Sequence, residues 1–315
     1  MKVLITGGAG FIGSHVARRL MERGDTVVLL DDFNSLVYGA QLKEERVEKL
    51  FAADSRPRVL AGNVLDRELV DTVFREEDFD TVLHFAAHAN PELSVRAAEA
   101  YTAVNVLGTL VILEAATRYH IQRFIFAGTS AVYNDEQVPF REDAYPLRPR
   151  SPYGASKVAA EAYCTMWHEL YSLPITVLRF FSVYGPWGRP DMAPMIFAEA
   201  VLRDRTLSVT GEDRQRDFTY IDDIVDGVVS AVDRQFWYEV INLGRGQPVS
   251  LLDLIAAIEK ASGMKARITE RPSPPGEMRI TYADVSKAQR LLGYTPRVSV
   301  AEGMQKLIEW ARTRL

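Results

Sequence analysis

The sequence predicts an α/β fold in which a doubly wound parallel sheet is followed by a smaller C-terminal lobe. Two observations predict it. Short apolar segments alternate with longer segments of helical spacing between residues 2 and 180, and this alternation stops after Ser182, where glycines and prolines cluster. Alternating strands and helices are typical of a parallel sheet covered by helices on both faces. We therefore assign residues 1–181 to the sheet domain and residues 182–315 mainly to the second lobe.

The predicted strands are short runs of aliphatic and β-branched residues, a composition typical of strands buried on both faces. They cover residues 2–6, 26–31, 58–61, 81–85, 123–127 and 175–180, and the helical segments cover residues 12–23, 66–75, 97–119 and 152–171. A helix beginning at Asp222 and a strand at 239–243 are expected to return to the sheet domain, near residues 217–244. The charged run 43–49 is interpreted as the solvated face of a helix.

The composition favours a soluble enzyme that acts on small molecules. The chain has 315 residues, of which 47% are hydrophobic, and its 37 basic and 42 acidic residues are well mixed, with a net charge of -5. This balance provides no basic surface for nucleic acid or an anionic membrane. Cys164 is the single cysteine and is expected to pack in the core. The apolar segment 3–5 is too short for a signal peptide, and no apolar run approaches the ~20 residues of a membrane span. A cytoplasmic location is therefore expected.

A glycine-rich turn follows the first predicted strand and opens the first predicted helix. It contains Gly7, Gly10 and Gly13, with Phe11 and Ile12 between the last two. Glycines let the backbone turn tightly and approach a pyrophosphate, while the helix N-terminus presents free N–H groups to the anion. The turn therefore indicates a dinucleotide site; a turn that merely connects strand to helix is the alternative.

The second predicted strand ends in a carboxylate at the position expected for a ribose contact. Asp31 lies 18 positions past Gly13, near the ~20 typical of such sites. Because a carboxylate there repels a 2′-phosphate, NAD is favoured over NADP. Asn63 is placed to meet the adenine edge, although a simple loop asparagine is the alternative. The other candidate cofactor contacts are Asn34, Val64, Phe85, Ala86, Ala87, Asn105, Tyr153, Lys157 and Phe180.

Tyr153 and Lys157 form the candidate proton-transfer pair. They stand four residues apart, so on a helix they share a face, and they follow a strand that ends in Thr129 and Ser130. A phenol has a pKa near 10, and a neighbouring ammonium together with a positive nicotinamide ring would lower that pKa enough for Tyr153 to act as a base. Thr129 is expected to hydrogen-bond the same sugar oxygen; a hydroxyl that satisfies the backbone at the strand end is the alternative.

Three segments together, 6–13, 129–133 and 153–157, resemble the extended short-chain dehydrogenases, a family of nucleotide-sugar epimerases and dehydratases. The resemblance covers nearly the whole chain. It implies a Rossmann domain with a small C-terminal substrate lobe and bound NAD that is regenerated in each cycle. It also implies a homodimer that pairs the helices at 97–119 and 152–171.

Within that family, the segment 178–192 looks most like UDP-glucuronate 4-epimerases. The resemblance implies that Ser182 and Arg189 face the sugar carboxylate and the nucleotide, and that Arg216 binds the diphosphate. It also implies that Glu277 holds the uridine ribose, and Arg279 is a weaker assignment by the same likeness. Surface ion pairs are the alternative interpretation of Arg189 and Arg216.

Departures from the family pattern narrow the reaction. Ser130 and Ala131 stand where family dehydratases and uronate decarboxylases carry acids, which disfavours both reactions. The segment 88–95 leans toward galactose-type epimerases, and Asn134 replaces a customary glycine. The five histidines show no metal-ligand spacing beyond one i, i+4 pair, so no metal is expected.

The predicted function is therefore NAD-dependent 4-epimerisation of a UDP-sugar, from UDP-glucuronate to UDP-galacturonate, through a transient 4-keto intermediate. The first alternative is a UDP-glucose/UDP-galactose 4-epimerase, followed by a uronate decarboxylase or another nucleotide-sugar oxidoreductase. A catalytically dead NAD-sensing regulator is the alternative from another class, and the presence of Tyr153 and Lys157 argues against it.

Overall fold

A computed structural model describes residues 1–52, 55–134, 137–210, 214–272 and 278–314. In chain order its strands are β1 (Lys2–Thr6), β2 (Thr26–Asp31), β3 (Arg58–Ala61), β4 (Thr81–His84), β5 (Arg123–Thr129), β6 (Ile175–Phe180), β7 (Ser182–Tyr184), β8 (Thr206–Thr210), β9 (Gln215–Arg216), β10 (Phe218–Tyr220), β11 (Tyr238–Leu243), β12 (Val249–Ser250), β13 (Arg267–Arg271) and β14 (Ile280–Thr281).

The helices, in the same order, are α1 (Phe11–Glu22), α2 (Ala40–Lys49), α3 (Arg67–Glu77), α4 (Pro91–Ser94), α5 (Ala98–Thr102), α6 (Gly108–Arg118), α7 (Pro152–Tyr171), α8 (Ala193–Leu202), α9 (Ile221–Asp233), α10 (Leu251–Ser262), α11 (Ser286–Leu292) and α12 (Val300–Arg312). A π-helical turn, Ala103–Leu107, joins α5 to α6.

The central sheet has seven strands in the order β11-β6-β5-β4-β1-β2-β3, and every neighbouring pair is parallel. The predicted doubly wound parallel sheet is therefore confirmed. The chain winds outward in one direction from β1 and in the other from β4, so the crevice at their carboxyl ends is the position where ligands bind in such sheets.

Both faces of the sheet are covered by apolar cores. Alternate residues of β1 point to opposite sides, because side chains along a strand alternate. Val3 and Ile5 belong to the core shared with α1, α9 and the C-terminal helices, whereas Leu4 belongs to the core shared with α3, α6 and α7. All three are fully buried, which explains why β1 is an uninterrupted apolar run.

The second lobe is made of small sheets and helices after β6. Its strand sets are β10-β7, β12-β9-β14 and β13-β8, and α10 packs on α8 and α12. The chain nevertheless returns to the central sheet, because β11 pairs with β6 along its whole length and α9 packs against α1. The buried carboxylate of Asp217 stabilises the lobe, because it accepts hydrogen bonds from the backbone N–H groups of Arg245, Gly246 and Ala283.

The helical stretch Ala98–Arg118 is long and apolar enough, by length and composition, to cross a membrane. The expectation that no apolar run approaches that length was therefore wrong. Of its most apolar window 56% is buried within the fold, and α6 packs on α3 and α7. The stretch is thus a core helix in this fold, and its apolar character follows from burial.

The interpretation of the charged run 43–49 as a solvated face was also wrong in part. Within α2, Arg46 is completely buried and Lys43 lies against Asp31. Glu44 and Glu48 are exposed, so only one side of the helix faces solvent.

Candidate active site

The turn between β1 and α1 brings main chain from two strands into close contact. Gly7 has a φ of +68°, and a Cβ there would lie 2.7 Å from the Ala86 nitrogen that follows β4. A Cβ on Gly13 would lie 2.5 Å from the Gly7 carbonyl oxygen. The N-cap residue Gly10 provides no side-chain acceptor, which leaves the first amides of α1 available to an anion. These features fit the pyrophosphate of a dinucleotide.

The carboxylate of Asp31 lies at the end of β2 and lines the same cavity. One oxygen accepts from the Ala9 amide at 3.1 Å, and the other accepts from the Phe33 amide at 2.9 Å. Lys43 donates to Asp31 at 3.0 Å and also lines the cavity. The sequence analysis missed Lys43, because nothing in a charged run distinguishes a residue that folds back onto the site. Its ammonium partly offsets the negative charge on which the preference for NAD was argued.

Most of the predicted site residues line one cavity of about 370 Å³, a size within the range of small-molecule sites. Those on its wall are Gly7, Gly10, Phe11, Ile12, Gly13, Asp31, Asn34, Val64, Phe85, Ala86, Ala87, Thr129, Ser130, Tyr153, Lys157, Phe180, Ser182, Arg189 and Arg216. Wall residues that the sequence analysis did not assign include Asp32, Tyr38, Lys43, His88, Met192 and Met278.

Asn105 is a correction, because it is fully buried and is not on the cavity wall, whereas Asn63 is half-buried between the wall residues Gly62 and Val64. Asn105 is fully buried, and its side-chain oxygen accepts from the His88 backbone N–H at 2.8 Å. Its side-chain nitrogen donates to the His88 carbonyl at 3.0 Å and to the Ser156 hydroxyl at 2.9 Å. Asn63 donates to Asp32 at 3.1 Å and accepts from the Leu65 amide. Protein groups therefore take up the contacts of the Asn105 amide, which links the His88 backbone to α7, and a contact between Asn63 and the adenine stays a prediction.

Of the three residues assigned to the diphosphate and uridine, only Arg216 is seen on the cavity wall. Glu277 lies outside the described residues. Arg279 is not on the cavity wall, and its carbonyl accepts from the Gln215 amide at 3.0 Å, whereas Arg216 does reach the wall. Contacts of Arg216 and Arg279 with the nucleotide remain predictions.

Helix α7 carries the proton-transfer pair in its first two turns. The Ser151 hydroxyl caps it by accepting from the Gly154 amide, and Pro152 occupies the first position, both favourable at a helix start. Tyr153 and Thr129 both line the cavity, and the side chain of Thr129 acts to lower the pKa of Tyr153. Lys157 is buried one turn further on, with its nitrogen 4.2 Å from the centre of the Phe126 ring.

Burial is the largest influence on the pKa values of both Tyr153 and Lys157. Burial raises the pKa of Tyr153, and the side chain of Thr129 and the charge of Arg189 only partly oppose that rise. Burial also lowers the pKa of Lys157 to about 8, although the negative charge of Glu161 acts to raise it. The lowering of the phenol pKa by the ammonium and the nicotinamide ring together stays a prediction, because within the protein itself desolvation of Tyr153 outweighs the neighbouring charges.

Arg189 faces the cavity from the segment after β7 and is held by an acidic partner. Its guanidinium donates twice to Asp191, at 3.0 and 2.6 Å, and Asn90 donates to the same carboxylate at 2.8 Å. Burial opposes the charge of Arg189, but Asp191 keeps its pKa above the usual value. The backbone N–H of Asn90 donates to the hydroxyl of buried Tyr101, whose ring packs edge-on against Tyr153. Arg189 is thus an internal, cavity-facing residue and not a surface arginine.

A parallel sheet that presents a tyrosine, a lysine and a threonine beside a dinucleotide turn defines the class: a dehydrogenase-like enzyme built on a Rossmann domain. Among the described residues, no group of three His, Cys, Asp or Glu side chains is arranged to hold a metal ion. The family model described as GDP-mannose 4,6 dehydratase matches residues 4–307. The chain belongs to this family of extended short-chain dehydrogenases.

Individual relatives match over the full length. A UDP-glucuronate 4-epimerase of Thermodesulfobacterium geofontis is 34% identical over 99% of this chain and 96% of its own. The structure of UDP-glucuronic acid 4-epimerase from Bacillus cereus, in complex with UDP-glucuronic acid and NAD, superimposes with a TM-score of 0.94 at 36% identity and covers 100% of both chains. UDP-glucose 4-epimerase from Thermotoga maritima, with UDP-glucose, gives 0.89 at 31% identity, covering 100% of this chain and 99% of that one. The predicted family, the NAD cofactor and the class of NAD-dependent nucleotide-sugar 4-epimerase are confirmed.

Proposed function

We propose that this enzyme interconverts UDP-glucuronate and UDP-galacturonate by inverting C4 of the sugar. The observation that carries the proposal is the position of Arg189, which lines the cavity together with Thr129, Ser130, Ser182 and Tyr153. A guanidinium and three hydroxyls are suited to a carboxylate, because an arginine fork matches its two oxygens. Two relatives reported above are named for the same uronate substrate.

Tyr153 is the acid and base at the sugar O4. Bound NAD would supply the hydride acceptor at C4, and its positively charged ring would favour the phenolate of Tyr153. The hydroxyl of Thr129 lines the cavity together with Tyr153 and is placed to hold the sugar oxygen and align the proton. Tyr153 removes the O4 proton as the 4-keto sugar forms and gives it back after the sugar has turned its other face. Return of the hydride to C4 from the reduced cofactor would leave no net redox change.

The hydroxyls around the carboxylate have a second role in a uronate enzyme. The intermediate is a β-keto acid, which loses carbon dioxide when its C–C bond aligns with the carbonyl π system. Thr129, Ser130 and Ser182 can hold the carboxylate out of that alignment. Ser130 and Ala131 provide no acid beside Thr129, which further disfavours a dehydratase or decarboxylase outcome.

A neutral hexose is the second candidate substrate, and one observation favours it. Asp191 already neutralises Arg189 through two hydrogen bonds, so a sugar without a carboxylate does not leave an unpaired charge in the cavity. UDP-glucose/UDP-galactose 4-epimerisation therefore remains the alternative.

The experiment offers purified holoenzyme UDP-glucuronate and UDP-glucose in separate reactions and follows the sugar by NMR. We expect inversion at C4 of the uronate with no pentose product. Inversion of the glucose substrate alone would show that Arg189 does not select a carboxylate. Accumulation of a UDP-pentose would show that the enzyme is a decarboxylase.

We also propose that the enzyme is a cytoplasmic homodimer that pairs the stretch Ala98–Arg118 with α7. Apolar side chains are exposed on these helices, with Leu107 at 52%, Leu170 at 66% and Tyr171 at 52%. Burying them against a second copy would remove a hydrophobic surface from water. Light scattering should give twice the 35.4 kDa chain mass, and a Leu107→Glu variant should shift to monomer. A wild-type monomer would contradict the proposal.

A further inference from the structure

We propose that Arg46 is a positioning residue that couples NAD binding to UDP-sugar binding. Arg46 lies on α2, at the edge of the cofactor site, and its side chain is completely buried. The inference rests on the proposed function only in placing the UDP-sugar against the segment that carries Arg189; it does not depend on which sugar is bound.

The guanidinium of Arg46 joins three segments that are far apart in sequence. It donates to the Trp187 carbonyl at 2.9 Å and to the Gly188 carbonyl at 3.4 Å. It also donates to the Tyr38 hydroxyl at 2.9 Å and to the Ala9 carbonyl at 3.4 Å. A planar, branched donor is required for this arrangement, since a lysine ammonium cannot reach groups on several sides in one plane.

Each of these partners borders a ligand position. Ala9 lies inside the glycine-rich turn, and Tyr38 lines the cavity next to the end of β2. Trp187 and Gly188 directly precede Arg189, the residue assigned to the sugar. One side chain therefore links the glycine-rich turn directly to the backbone that sets the position of Arg189.

Arg46 brings a buried charge without a carboxylate partner. Among the described residues it forms no ion pair, and its four partners are carbonyl or hydroxyl oxygens. A buried cation is costly unless neighbouring groups compensate it. The carboxylate of Asp31 favours the charge of Arg46 without forming an ion pair with it, and burial still lowers the pKa of Arg46. The pyrophosphate of NAD and the diphosphate of a UDP-sugar are both anions, so both ligands gain from this buried positive charge.

The segment that Arg46 holds is in an unusual conformation. Trp187 has a φ of +63°, which is uncommon for a non-glycine residue and must be held by its surroundings. On the buried side of the segment, Arg46 donates a hydrogen bond to the Trp187 carbonyl. On the outside, the Trp187 ring packs against Trp310 at 5.3 Å and under the Arg314 guanidinium at 4.7 Å, and Arg314 pairs with Glu45.

The test measures coupling, using UDP as the probe. Holoenzyme carrying radiolabelled NAD is diluted into excess unlabelled NAD, and exchange is timed with and without saturating UDP. For the wild type we expect UDP to slow exchange by about tenfold, within the usual range of coupling between sites. In Arg46→Lys and Arg46→Met the ratio of the two exchange rates should fall to near one. KM for the UDP-sugar should rise about tenfold while kcat stays within about threefold, because the reacting groups are untouched.

Matched variants separate coupling from general stability. Glu48→Gln removes a charge on the exposed side of α2 and should keep the wild-type exchange ratio. If the Arg46 variants do not fold, Tyr38→Phe, which removes one acceptor of the fork, should lower the ratio by at least twofold. A wild-type ratio in the Arg46 variants, or in Tyr38→Phe when it alone folds, would overturn the proposal. Because UDP alone is the probe, failure of the uronate assignment leaves this result unaffected.

Discussion

The cavity wall at the glycine-rich turn is built from main chain, whereas the wall around Arg189 is built from charged and polar side chains. Gly7 and Gly13 bring backbone to within contact distance of neighbouring backbone, so the sheet itself fixes that wall. On the other wall Arg189, Asp191 and Asn90 hold one another by hydrogen bonds. The difference indicates that the cofactor side is preformed and that the substrate side can exchange partners when a ligand arrives.

The largest expected effect tests whether chemistry can be removed while the cofactor wall stays intact. Tyr153→Phe should lower turnover by about 10²–10⁴-fold, the usual contribution of an acid–base group. Because Tyr153 forms little of the main-chain wall, NAD should stay bound. Turnover is measured by NMR and bound NAD by release from denatured protein. A variant that keeps full activity would show that the base is another residue.

The second prediction tests the main-chain wall itself. Gly7→Ala places a methyl group 2.7 Å from the Ala86 nitrogen at a φ of +68°, so we expect loss of bound NAD and about 2–4 kcal/mol of unfolding free energy. Gly39→Ala is the matched control, because a Cβ there has no neighbour within 4 Å and its φ is -54°. Retention of NAD in Gly7→Ala would mean that this wall is not rigid. Chemical denaturation and NAD content provide the readout.

The third prediction concerns the buried ammonium between the two walls. Burial lowers the pKa of Lys157 to about 8, below the 10.5 of an exposed lysine. The folded state therefore carries a penalty that is fully present below about pH 8 and is relieved as pH rises toward about 10.5. In protein stripped of NAD, Lys157→Met should be more stable than wild type by up to about 3 kcal/mol at pH 7.

That stability advantage should shrink steadily above pH 8, and thermal unfolding between pH 6.5 and 9.5 checks it. Lys43→Met provides a comparison, since Lys43 is paired with Asp31 and its removal should not stabilise the protein at pH 7. A pH-independent difference between Lys157→Met and wild type would contradict the assignment of a buried, charged lysine.

The smallest expected effect tests whether Arg189 contacts the carboxylate of the sugar. Asp191→Asn leaves Arg189 with an unpaired charge, and a uronate has one more negative charge than a neutral hexose. We expect KM for UDP-glucuronate to fall about fivefold relative to KM for UDP-glucose, equivalent to about 1 kcal/mol. Asp143→Asn is the control, because Arg141 and Asp143 form a pair with the same spacing that is exposed to solvent. An unchanged KM ratio would show that Arg189 does not contact the carboxylate.

The same contrast explains what the sequence could predict. The bounds of β1, β2, β3 and β6 were predicted to the residue. The centres of β1, β2 and β6 are buried apolar runs, as expected of parallel strands, and β3 is a partly exposed edge strand. The glycine-rich turn and the Tyr153–Lys157 pair were also found, since fixed spacing on regular elements determines where their side chains lie. Local sequence is sufficient for these features.

Other features depend on tertiary contacts and were missed or misassigned. Arg46 and Lys43 lie in a run that looks solvated, and only the path of the chain after β2 turns one side of α2 inward. Asn105 looked like a cofactor contact, but a π-helical turn directs its amide to His88 and Ser156. The Arg189–Asp191 pair has no regular-element spacing that could have indicated it.

Strand β11 has a consequence for how such enzymes can diversify. Its pairing with β6 means that the chain enters the second lobe, comes back to complete the central sheet and then leaves again. A lobe with a different specificity therefore cannot be transplanted from a relative by a single crossover after β6. Besides the junction after β6, the graft needs two more, one on each side of the α9–β11 passage, so substitution within loops is the simpler route to a new sugar preference.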